Sequence, residues 1–434
     1  MTVVAAELYQ SAPGLPTGPW SDGGRRTRAP PGTALGRRPA GRQDADGPVI
    51  RREAPSMASP LPRVVVDLEK LRHINCGLGR FSLHLGRGLL DDARGRFEPV
   101  FLLPQGAERH FPGRSFARID VRPWRKEYLR RHLRPWVRPF LPPSDVALWH
   151  VTNQMSKYLP LDDRVPVLLT IHDLNFLHED GAERAPDRIR RKLADIESRV
   201  RRATAIVTDS AFVARDLAEH VDLRGTPVHV VPLGLSSPPD PSPRRPDFLP
   251  AGPFLLSIGN ALPHKNFHVL FDMLEELPGP RLVVAGKVAT PYGGFLREEV
   301  TRRRLADRVI LPGEVSDGDR QWLYEHCEAF LFPSRAEGFG FPVLEAMQCG
   351  KPVFMSRATS LPEIAGDHGF FFDSYDGPAL AATYRAGMEA AARDPNFGDR
   401  ARAHVATFSW GETARGYARI YDDLLRRRPT AACA

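Results

Sequence analysis

The chain has 434 residues, 42% of them hydrophobic and 26% charged, enough to bury two cores of ordinary domain size. No apolar run reaches the roughly 18 residues of a membrane span, which argues against an integral membrane protein. The net charge of +8 fits anionic substrates, a membrane surface or a nucleic acid; four scattered cysteines (Cys76, Cys327, Cys349, Cys433) without a CxxC pair argue against a disulfide framework or zinc site and fit a reducing cytosol.

Residues 1–60 are dense in Pro, Gly, Arg and Ala, have almost nothing to bury, and lack the apolar core of a secretory signal. The composition predicts a disordered tail, and Met57, just before the first strand-like run, offers an alternative translation start. From residue 63 an alternation begins. "RVVVDLE" reads as a buried strand, and a glycine-bearing loop leads into "RFSLHLGRGLLDDA", whose Phe81, Leu85 and Leu89 share a helical face. Further strands are expected at "FEPVFLLP", "DVALWHVT", "VPVLLTIHD", "ATAIVTDS" and "VHVVPLG". An amphipathic helix, "APDRIRRKLADIESRVRRA", lies between two of them. Between strands, residues 121–140 combine seven Arg/Lys with Trp124, Tyr128 and Trp136. That segment fits an anionic membrane face, stacked bases, or a solvated surface with aromatics packed inward; its three prolines count against one long amphipathic helix.

Residues 237–253, Pro-rich and without periodicity, read as a linker. Beyond it come strand "FLLSIGN", a helix from Asn266, strands "RLVVAG" and "RVILPG", and a helix at "SDGDRQWLYEHC" with Ser316 and Asp319 as a capping box. Strand "AFLFPS", a loop and helix, strand "KPVFMS", helix "PALAATYRAGMEAAA" and a last helix "WGETARGYARIYDDLLRRR" complete the chain. Strands alternating with helices on both sides of one linker predict an α/β protein of two Rossmann-like doubly wound domains.

Ligands of such sheets bind beyond the carboxyl ends of the strands, at helix N-termini. "FLFPSRAEGFGFPVLEAMQCGKPVF" reads as such a place, with Pro342 at the first helical position and Glu345 in the first turn. Gly338 and Gly340 let backbone amides approach a ligand. Glu345 there can accept two ribose hydroxyls, leaving Glu337, eight residues earlier, to hold hydroxyls of a second ring. Ribose and hexose flanking a diphosphate make a nucleotide sugar. The competing reading is one glutamate that caps a helix and one that is solvated.

The same stretch resembles the E-x7-E segment of retaining family 4 glycosyltransferases (glycosyl transferases group 1) of the GT-B fold. "SIGNALPHKNFHVLF", "VILPGEVSD" and "SLPEIAGDHGFFFD" match further segments of that family's donor domain, and "NCGLGRF" and "TIHDLNF" match its acceptor-side loops. The resemblance implies an acceptor-side domain at 61–236, a donor domain at 254–409, and a final helix, 410–428, returning to the first domain. It implies that Glu345 binds ribose, that Glu337 holds the donor sugar beside the backbone of Gly338, Phe339, Gly340 and Phe341, and that Lys265 neutralises the diphosphate. His172 would touch the donor from across the cleft, with Asp173 orienting it, and Gly77 and Gly79 would approach the phosphates. Asn260 stands where many members carry an Arg, so charge would fall to Lys265 or to another base such as Arg80.

The reading is a hexosyltransferase that needs neither metal nor cofactor, with no side-chain nucleophile evident. GDP-mannose is favoured as donor over a UDP-hexose because "PHKN" resembles the loop of mannosyl-type members. The acceptor would be a glycan or lipid-linked glycan in surface polysaccharide or lipopolysaccharide synthesis. The expected location is the cytoplasm, with peripheral contact at the inner, anionic face of the membrane and no nucleic-acid partner. Rivals are a sugar-nucleotide epimerase on the same architecture and a non-enzymatic lipid or nucleic-acid binder driven by the basic segment.

Overall fold

The computed structural model describes residues 50–51, 61–74, 76–121, 145–160, 162–178, 186–236 and 243–427. The first lobe contains β1 (Ile50–Arg51), β2 (Arg63–Asp67), α1 (Gly77–Asp92), β3 (Glu98–Leu103), β4 (Ala117–Asp120), β5 (Val146–Val151), β6 (Val167–Ile171), α2 (Pro186–Val200), β7 (Ala205–Thr208), α3 (Ala211–His220) and β8 (Val228–Val230). Its strands lie in the order β1-β4-β3-β2-β5-β6-β7-β8, parallel except for β1. Val64, Val65 and Val66 of β2 are fully buried, which is why this β-branched run forms a central strand covered on both faces.

The second lobe contains β9 (Phe254–Ile258), α4 (Val269–Glu275), β10 (Arg281–Ala285), α5 (Pro291–Arg302), β11 (Val309–Gly313), α6 (Asp317–His326), β12 (Ala329–Phe332), α7 (Phe341–Gln348), β13 (Val353–Ser356), α8 (Leu361–Ala365), β14 (Phe370–Phe372), α9 (Gly377–Arg393) and α10 (Phe397–Val405), followed by α11 (Trp410–Arg426). Its all-parallel order, β11-β10-β9-β12-β13-β14, reverses direction between β9 and β12. The first sheet reverses likewise between β2 and β5. A ligand crevice opens where order reverses, beyond the carboxyl ends of the strands.

Several elements depart from the sequence reading. β4, α3, α5, α8, α10 and β14 are not among the elements expected from sequence. α5 opens on "PYGGF", whose Pro and two Gly hide the helical period, yet Thr290 caps it by accepting the Gly293 N–H at 2.9 Å. Asn266 does not start a helix: it takes a left-handed φ of 57° and ends a 3-10 turn at Pro263–Lys265, so α4 begins at Val269. Ser316 and Asp319 do form the capping box of α6. Within the tail assigned to disorder, Ile50 and Arg51 pair antiparallel with Ile119 and Arg118, because β4 offers them an open edge. The rest of residues 1–60, nearly all of the basic segment, and linker residues 237–242 lie outside the described residues.

The chain passes between lobes twice, and the two passages touch. Leu235 N–H donates to the Phe408 carbonyl at 2.9 Å, and a Cβ on Gly234 would stand 2.1 Å from the Trp410 nitrogen. Only glycine fits there. α11 then lies on the first lobe, where Gly88 of α1 faces Ala414 so closely that a Cβ would stand 2.4 Å away. Tyr421 Oη lies 2.6 Å from His150 Nδ1, and Thr170 Oγ1 lies 2.8 Å from His150 Nε2 and 3.0 Å from Tyr417 Oη. Burial lowers the His150 pKa to about 3, so a neutral ring donates from one nitrogen and accepts at the other.

Candidate active site

The loop from β12 to α7 is held from below. Thr359 Oγ1 accepts the Glu337 N–H at 3.0 Å, and Ser360 Oγ donates to the carbonyls of Glu337 and Phe339 at 3.0 and 3.3 Å. Thr359 does this at φ 52°, a costly conformation for a β-branched residue and one concentrated at functional sites. Gly340, at φ 104°, is the N-cap of α7, and no side chain caps the helix. Of its first three residues only Phe341 keeps an N–H for an anion or sugar oxygen, since Pro342 has none and Val343 donates to the Gly340 carbonyl at 3.0 Å.

Lys265 Nζ lies 2.5 Å from Glu337 Oε1, with both side chains about one-eighth exposed (13% and 12%). The ammonium also sits 5.1 Å from the Phe332 ring centroid. Glu345 falls in the second turn of α7, not the first, and Pro342 occupies the second helical position, because the helix starts at Phe341. Tyr324 Oη donates to Glu345 Oε2 at 2.8 Å; burial and the Glu345 charge push the phenol well above its usual pKa, so it remains a donor. The other oxygen, Oε1, lies 3.6 Å from Arg80 Nη1. Arg80 belongs to α1, so this ion pair crosses between the lobes.

The two α1 glycines divide. A Cβ on Gly79 would collide with the His73 carbonyl at 2.1 Å, whereas at Gly77 nothing lies within 4 Å. Packing explains the first and not the second. α1 also lacks a side-chain cap, so Gly77 opens its N-terminus on bare backbone. Asn260 is exposed, two residues past β9.

The His172 ring is held by its own lobe. Nδ1 lies 2.6 Å from Asp209 Oδ2 and Nε2 donates to the Thr152 carbonyl at 2.9 Å, so both nitrogens are engaged within the first lobe. Asp209, not Asp173, orients the ring. Burial opposes a charged imidazole, but the Asp209 charge and hydrogen bond outweigh it and raise the His172 pKa. What faces the second lobe is backbone: a Cβ on Gly338 would stand 2.8 Å from the His172 carbonyl oxygen and 3.0 Å from Asp173 Cβ. Nearby, Glu363 of α8 accepts the N–H groups of Ala211 and Phe212, at the N-terminus of α3, at 2.7 and 2.9 Å.

Two family models match, one per lobe: Glycosyltransferase Family 4 over residues 77–237 and Glycosyl transferases group 1 over residues 243–404. The chain belongs to the GT-B-fold glycosyltransferases. Over 161 residues the glycosyltransferase is 34% identical to O-antigen chain mannosyltransferase B of Escherichia coli, a match covering 36% of this chain and 42% of that relative. It is 35% identical over 171 residues to the serotype-specific mannosyltransferase WbdA of E. coli, covering 37% of this chain and 20% of the relative. The chain thus spans less than half the length of these relatives. A longer match, 26% identical over 78% of this chain and 86% of the relative, is to D-inositol 3-phosphate glycosyltransferase of Nocardiopsis dassonvillei. Among solved structures, sucrose-phosphate synthase from Thermosynechococcus elongatus superposes with a TM-score of 0.63 at 18% identity, covering 84% of this chain and 99% of that one. Anabaena Alr3699/HepE in complex with UDP and glucose gives 0.59 at 17%, covering 83% and 99%. These neighbours share the fold.

Tyr324, Asp209, Thr359, Ser360 and Glu363 were not singled out from sequence. Thr359, Ser360 and Glu363 sit in or beside the "SLPEIAGDHGFFFD" segment that carried the resemblance; nothing in the sequence around Tyr324 marks it as the partner of Glu345, on the next helix. Among the described residues no helix is long and apolar enough to cross a membrane, and no group of three or more His, Cys, Asp or Glu side chains is placed to hold a metal.

Proposed function

We propose that the glycosyltransferase moves a hexose, with retention, from a nucleotide sugar to a glycan or lipid-linked acceptor. The observation that carries this is the Lys265–Glu337 pair at 2.5 Å, beside the uncapped start of α7, on the lobe whose Glu345 meets Arg80 of the other lobe. In this reading Glu345 accepts the ribose hydroxyls, displacing Arg80. Glu337 and the amides of Gly338 to Phe341 hold the hexose. Lys265 then transfers its attraction from Glu337 to the diphosphate as the glycosidic bond breaks, where stabilising developing charge is usually a large catalytic term. Arg80 and the open N-terminus at Gly77 supply positive charge from the first lobe, in place of the Arg that Asn260 replaces and without a divalent cation. His172 is a positioning residue, its ring locking the loop that meets Gly338.

Mannose from GDP-mannose is the preferred donor, supported by the mannosyltransferase relatives and the "PHKN" loop; a UDP-hexose is the alternative. The acceptor belongs to surface polysaccharide or lipopolysaccharide assembly, reached in the cytoplasm at the inner membrane face through the basic segment. Hydrolysis of a panel of nucleotide sugars in EDTA, followed by NMR, tests this: α-mannose should appear first from GDP-mannose. Absence of turnover across the panel, or release of the inverted anomer, would overturn the reading.

A further inference from the structure

We propose that Asp173, on the first lobe, is a donor-sugar contact that closes over the hexose opposite Glu337; this rests on the donor-site reading above. Asp173 follows β6 at its carboxyl end. Its Oδ1 accepts the Asn175 N–H at 3.1 Å, and its carbonyl accepts from Gln154 Nε2 at 3.1 Å, so side chain and backbone are both fixed. The second oxygen, Oδ2, lies 3.4 Å from where a Cβ on Gly338 would stand, next to Glu337.

The turn alone does not explain a carboxylate here. An Asx turn needs one acceptor oxygen, which Asn or Ser supplies equally well. Burial raises the Asp173 pKa and the facing Glu337 charge raises it further, while His172 and His264 lower it. Asp173, Glu337 and the Lys265 that pairs with Glu337 at 2.5 Å carry one net negative charge between them, so a phosphate between the two carboxylates would be repelled. A ring bearing several hydroxyls does the opposite: it donates to each side and relieves the repulsion. The ligand chemistry that fits between Asp173 and Glu337 is therefore the hexose, not the nucleotide.

Calorimetric titration in EDTA of GDP, UDP, GDP-mannose and UDP-glucose into wild type and Asp173→Asn tests this, because Asn keeps the turn oxygen. The variant should bind the preferred nucleotide sugar on the order of 10-fold more weakly and the matching nucleoside diphosphate within about 2-fold of wild type. Equal weakening of both ligands, or no change in either, would overturn the proposal. Should Asp173→Asn fail to fold, Asp173→Ser, which retains a turn acceptor, gives the same comparison. Wild type that binds none of the four would instead sink the donor-site reading on which it rests.

Discussion

Lys265 and Glu337 neutralise one another, so neither is a spare surface charge. Lys265→Ala should lower kcat about 10²- to 10³-fold with a smaller effect on donor KM, measured by steady-state donor hydrolysis, since its main task is the leaving diphosphate. Asp67 poses a different case. It is fully buried at the end of β2, accepts the Glu69 N–H at 3.0 Å and a hydrogen bond from Ser156, and burial raises its pKa from 3.8 to about 6. Between those values the fold holds a proton that the unfolded chain has lost, so stability falls as pH rises through that window and stays lower above it. Asp67→Asn, never charged, should gain on the order of 3 kcal/mol relative to wild type at pH 7 and nothing at the acid end of the window, by denaturant unfolding. Glu337, Glu345 and Lys265 were legible in the sequence because their chemistry travels with neighbouring residues. The partner of His172 was not: Asp209 lies 37 positions away and reaches the ring only because β6 and β7 pair side by side.

At the scale of elements, the site depends on loops that meet without side chains between them. Gly338 does not take a positive φ, so alanine there costs no backbone strain; its Cβ would nevertheless meet the His172 carbonyl at 2.8 Å. Gly338→Ala should leave the melting temperature nearly unchanged and lower kcat/KM about 10-fold or more, because the lobes can no longer seat against each other. Steady-state donor kinetics beside a thermal melt separate these effects. Long, strongly patterned elements such as β2, β6, α2 and α11 were visible in the sequence. β4, α8 and β14 were not, since four-, five- and three-residue segments carry too little period to register. α5 was hidden by glycines that serve packing: a Cβ on Gly293 would strike the Val288 carbonyl at 2.1 Å.

For the whole molecule, Glu363 is the contact that most directly ties one lobe to the other, accepting two N–H groups at the start of α3. Glu363→Ala removes a carboxylate cap worth about 1 kcal/mol, leaving those surface donors to water, and should open the cleft, so the radius of gyration from solution X-ray scattering should rise and then fall on adding GDP or UDP. An unchanged radius would show that closure rests elsewhere. The twin-lobed plan was readable because the alternation of strand and helix stops at one Pro-rich linker and restarts. The return of the last helix to the first lobe was implied by the family resemblance; the contact of Gly234 with Trp410 was not, because nothing in the sequence near either residue announces the other. The central claim is that Glu345 grips the nucleotide in the cleft it shares with Arg80. Calorimetric titration of GDP and UDP into wild type and Glu345→Ala, both in EDTA, tests it most directly. Wild type should bind at least one of them, and the variant should lose about 10-fold or more in affinity with its fold intact; equal affinity in the two proteins would contradict it.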